Sequence, residues 1–184
     1  LDEERRTDHV RFSHQLLQEY FAARQLAAQP APATELARSE WRADRIKPSL
    51  ADKLLTLQDF EPLPPPDPSG WEETTVLAAS MAADPDAFVR SLVEANLELA
   101  ARCAAALRAT NRARRETVTM LQTRLLARSR DPAADLRARI AAARALGDLG
   151  DPRFERGAGP HGDYLGPPLV TIEAATCRVG SDEG

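Results

Sequence analysis

Ala134-Asp135-Leu136-Arg137-Ala138-Arg139-Ile140-Ala141-Ala142-Ala143-Arg144-Ala145-Leu146-Gly147-Asp148-Leu149-Gly150-Asp151-Pro152-Arg153 is the stretch that decides the fold. From Asp135 to Leu149 it is built mainly of alanine, leucine and arginine, which are cheap to hold in a helix. Leu136, Ile140, Ala143 and Leu146 recur at spacings of three and four, so they form one apolar face. Gly147, Gly150 and Asp151-Pro152 end it. The same grammar continues upstream. Trp71, Thr74, Leu77 and Met81 predict a helix over Trp71 to Ala83, broken by Asp84-Pro85. Asp86 is the expected cap of a long helix to Ala109, with Phe88, Leu92, Ala95, Leu99, Cys103 and Ala106 along one stripe. A further helix, about Arg115 to Arg128, carries Val118, Leu121 and Leu125 before Asp131-Pro132 interrupts.

Towards the N-terminus, Arg11 to Ala28 reads as one helix, ended by Pro30 and Pro32. Phe12, Leu16, Leu17, Tyr20 and Phe21 fall on one broad apolar face of it. A second helix is expected from Thr34, with Trp41 as its core residue, and a third from Leu50 to Leu57 after Pro48-Ser49. Glu61-Pro62-Leu63-Pro64-Pro65-Pro66-Asp67-Pro68-Ser69-Gly70 is a stiff extended connection, or a proline-rich ligand for a recognition domain. Gly157 to Pro168 is a loop by composition. Leu169-Val170-Thr171-Ile172 and Thr176-Cys177-Arg178-Val179 predict a β-hairpin. The expected fold class is therefore all-α: a helical array of stacked pairs with a short C-terminal β-hairpin.

Aromatics make up 5% of the 184 residues, and alanine and leucine supply most of the 43% hydrophobic content. That favours helices packed closely through small residues. The net charge of −4 gives no global electrostatic case for nucleic acid or an acidic membrane. Residues 102–156 hold about seven more arginines than acids, but no aromatic platform for bases accompanies them. No run approaches the ~20 apolar residues that span a bilayer. Cys103 and Cys177 make no disulfide framework, which fits a cytoplasmic setting. Cys103 sits on the apolar stripe as a core residue. His9 and His14 share no helix face, and no metal-ligand spacing or nucleophile turn occurs. The first glycine is Gly70 and the only lysines are Lys47 and Lys53, so no phosphate-cradling loop exists. This chain is expected to be no enzyme, with no metal and no cofactor of its own.

Three motifs nevertheless resemble known families. Phe12-Ser13-His14, followed by Gln18-Glu19-Tyr20-Phe21-Ala22-Ala23, resembles the closing helix of the regulatory winged-helix module in NACHT-type signalling NTPases. The resemblance implies that His14 senses bound ADP when an NTPase module is present, with Phe12, Gln18, Glu19, Tyr20 and Phe21 packing the motif. It also implies ATP or ADP with Mg in the parent protein. The Ala134–Arg153 stretch resembles one helix of a HEAT-type repeat, in which amphipathic pairs stack and cover one another. Pro167 to Gly184 resembles the entry to a formylglycine-generating-enzyme (sulfatase-modifying factor) domain, through Leu169, Val170, Ile172, Ala174, Gly180 and Ser181. Cys177 takes an aromatic core position of that motif.

With Leu1-Asp2-Glu3-Glu4 at its start, the chain reads as an internal segment of a larger protein. Four parts are expected. Residues 1–29 close the winged-helix module, 30–70 hold short helices and the proline linker, 71–156 form the array, and 157–184 begin the C-terminal domain. The expected role is to couple nucleotide state to that domain, with the parent's own NTPase and C-terminal domains as partners. Two alternatives stay open: a helical scaffold that binds a protein partner, or an accessory region of a formylglycine-generating-type enzyme.

Overall fold

The computed structural model describes residues 14–58, 60–174 and 176. Phe12, Cys177 and the second half of the expected hairpin from Cys177 onward lie outside them. The described residues hold eight α-helices and one two-stranded antiparallel sheet. The helices are α1 (Gln15–Ala28), α2 (Pro30–Leu36), α3 (Leu50–Leu54), α4 (Glu72–Met81), α5 (Pro85–Leu92), α6 (Leu97–Ala109), α7 (Arg115–Arg130) and α8 (Leu136–Asp148). The strands are β1 (Glu155–Gly159) and β2 (Gly162–Gly166). The chain divides into two compact units, Leu1–Gly150 and Asp151–Gly184.

Local chemistry accounts for most helix ends. Ser49 and Asp52 form a capping box at α3, with Asp52 N–H donating to Ser49 Oγ at 3.2 Å and Ser49 N–H to Asp52 Oδ2 at 3.1 Å. Glu72 reaches back from the first turn of α4 to accept from the Ser69 and Gly70 N–H groups at 2.7 and 3.0 Å. Three expectations are corrected. Helix α2 starts at Pro30, not Thr34, because a first turn needs no N–H from its prolines. Trp41 therefore lies beyond that helix, in an irregular segment joined to the start of α8 by an Arg42–Ala134 bridge. Asp84, not Asp86, caps α5, with its Oδ1 3.0 Å from the Ala87 N–H.

The expected helix from Asp86 to Ala109 is two helices. Helix α5 ends at Leu92, a turn over residues 93–95 follows, and Asn96 caps α6, its Oδ1 accepting from Leu99 N–H at 2.9 Å. Its Nδ2 donates at 2.9 Å to the Ala37 carbonyl just past α2, so the break also anchors the N-terminal helices.

Helix α6 is central to the first unit, touching α4, α5, α7 and α8. Ala100, Ala101, Cys103 and Ala104 let these neighbours approach closely. Phe88, Leu92, Leu99, Leu107, Leu121, Leu125, Leu146 and Leu149 fill the core around them. Each contributes about 1.5–3 kcal/mol by leaving water. On α8 the buried face is Ala138, Ala142, Ala145 and Leu146; the expected Leu136, Ile140 and Ala143 are exposed. Close packing onto α6 and α7 selects the alanine face over the bulkier one.

In the second unit the hairpin lies in the glycine-rich stretch read as a loop, and Leu169–Ile172 belongs to no strand. Gly157 faces Tyr164 across the ladder; a Cβ there would meet the ring at 2.5 Å, so glycine is what lets the tyrosine lie over β1. The glycines that weaken β-propensity are thus the ones that accommodate the ring.

Candidate functional site

His14 is the N-cap of α1. Its Nδ1 accepts from the Leu16 N–H at 3.3 Å, so the proton of the neutral ring sits on Nε2. The side chain is exposed at the positive end of a 14-residue helix. One turn on, Gln15 donates to Glu19 at 2.7 Å.

The apolar face expected to bury α1 does not. Leu16 is 66% exposed, Leu17 50% and Tyr20 40%, and Phe21 and Gln18 are also on the surface. The Tyr20 and Phe21 rings meet edge to face at 5.4 Å, and Arg24 lies over Tyr20. Helix α1 is held instead by Ala23, Leu26 and Ala27, which pack into the core cluster, with α4 as its main neighbour. Small residues allow the two helices to approach, and the larger face is left outside.

Several arginines between residues 102 and 156 bridge neighbouring segments while their side chains stay partly exposed. Arg102 pairs with Glu73 at 2.6 Å and Arg114 with Asp86 at 3.4 Å. Arg124 pairs with Glu94, Arg108 donates to the Leu149 carbonyl, and Arg112 donates to the Ser80 carbonyl. Arg137 and Asp135 form a fully buried pair at 2.8 Å. Arg137 also donates to the Pro48 carbonyl at 2.8 Å. This hydrogen bonding holds the Asp135 carboxyl below the usual aspartate range.

Cys103 is buried, and desolvation pushes its thiol up to about 12, which makes it a core residue with no thiolate character. Among the described residues no group of three or more His, Cys, Asp or Glu side chains is placed to hold a metal ion. No described helix is long and apolar enough to cross a membrane.

A feature that sequence reasoning missed lies under the proline-rich segment. Leu63 to Pro68 lies against α6, α8 and the Trp41 segment, with cavities of about 210 and 280 Å³ at their junction. Glu98 lines both cavities. Its Oε1 is buried without a hydrogen-bond partner, and Arg128 stands 3.7 Å away. Desolvation raises the Glu98 carboxyl and lowers the Arg128 guanidinium, so burial outweighs their attraction at both partners. Only the odd placement of Glu98 among apolar residues hinted at this in the sequence.

No family model, curated protein or solved structure matches the chain in comparison.

Proposed function

We propose that this chain is the coupling segment of a NACHT-type signalling ATPase of the cytoplasm, linking nucleotide state to a formylglycine-generating-enzyme-like C-terminal domain. The observation that carries the reading is the division of α1 into two faces. Ala23 and Leu26 lock it into the first unit, while Leu16, Leu17 and the motif's Tyr20 stay open, with His14 at the tip. A helix fixed on one side and open on the other passes a push on its open face into the body it is fixed to. An exposed imidazole at a helix N-terminus also suits a diphosphate, since the helix dipole favours anions there. Behind α1, the neighbouring α5–α6 and α7–α8 would serve as HEAT-like pairs that carry the displacement onward. ATP or ADP with Mg would be held by the NTPase module, and the array would offer a surface to a protein partner.

The test uses the chain joined to its NTPase module. Asparagine caps helices well but lacks the imidazole. In this reading His14→Asn keeps α1 intact while ADP release speeds up by about tenfold, the loss of one modest hydrogen bond to a charged group. His14→Ala should do the same and also raise basal activation. Unchanged ADP retention in both variants overturns the sensing role.

A further inference from the structure

We draw no further inference here: the strongest candidate, the outward face of α8 where Leu136, Ile140 and Ala143 stay exposed, is flanked by Arg144 and Asp148 alike, and nothing in the structure shows what covers it.

Discussion

Asp135 and Arg137 stand two residues apart and both side chains are 1% exposed, yet the pair is well made. Asp135 accepts from the Arg137 guanidinium and backbone N–H, and Arg137 spends its remaining reach on Pro48. Glu98 and Arg128 are the opposite case, close in space but without a hydrogen bond. The pKa directions follow: pairing lowers Asp135, whereas burial raises Glu98. Removing one partner of a satisfied buried pair strands the other charge, so Asp135→Ala should destabilise the chain by about 3–5 kcal/mol in urea melts at pH 7. Because the folded-state pKa of Asp135 is depressed, its stabilisation is present above the ordinary aspartate range and is lost as pH falls through the folded value. The gap between Asp135→Ala and the parent should therefore narrow in acid. A gap of under about 1 kcal/mol at pH 7 would show that the pair is dispensable.

The break between α5 and α6 turns on Asn96. The apolar spacing of Phe88, Leu92, Leu99 and Cys103 gives no sign of a break there, and all four are buried. The signal was a buried asparagine followed by Leu97-Glu98, a cap with an acid in the first turn. Asn96→Ala removes the cap from Leu99 and also the donor to Ala37. Thermal and urea unfolding should show a loss of about 1–3 kcal/mol, with faster amide exchange at Leu99 and Ser39. Protection lost at Leu99 alone would mean that Asn96 is only a cap and does not anchor the segment after α2. On α1 and α8 periodicity located the helices, but partners chose the face. In both, alanine faces went inward and Leu16, Leu17, Leu136 and Ile140 stayed out.

On the scale of the molecule, the first unit holds the core, and the described residues of the second hold a hairpin and no other helix or strand. A lone two-stranded hairpin adds little stability in water. Residues 1–150 expressed alone should unfold cooperatively, with a midpoint within about 2 °C of the 184-residue chain. The fragment keeps Leu149 and Gly150, whose carbonyls accept from Gln122 at 3.3 and 2.6 Å. A broad or much lower transition would show that the second unit supports the first.

What the sequence determined by itself was the helical character from the opening helix to Asp148, the punctuation at most of the Asp-Pro steps, and the core role of Cys103. Each rests on local energetics: propensity, fixed proline φ and apolar period act within a few residues of where they are read. What only the tertiary structure decided was which face each helix buries, where the long helix divides, and how Glu98 comes to lie under the proline strap. It also placed the hairpin at Glu155–Gly166 and left Leu169–Ile172 outside any strand. These depend on partners far apart in the chain, as with Asn96 and Ala37 or Arg137 and Pro48. Close packing also rewards the small residues that a hydrophobicity pattern ranks lowest.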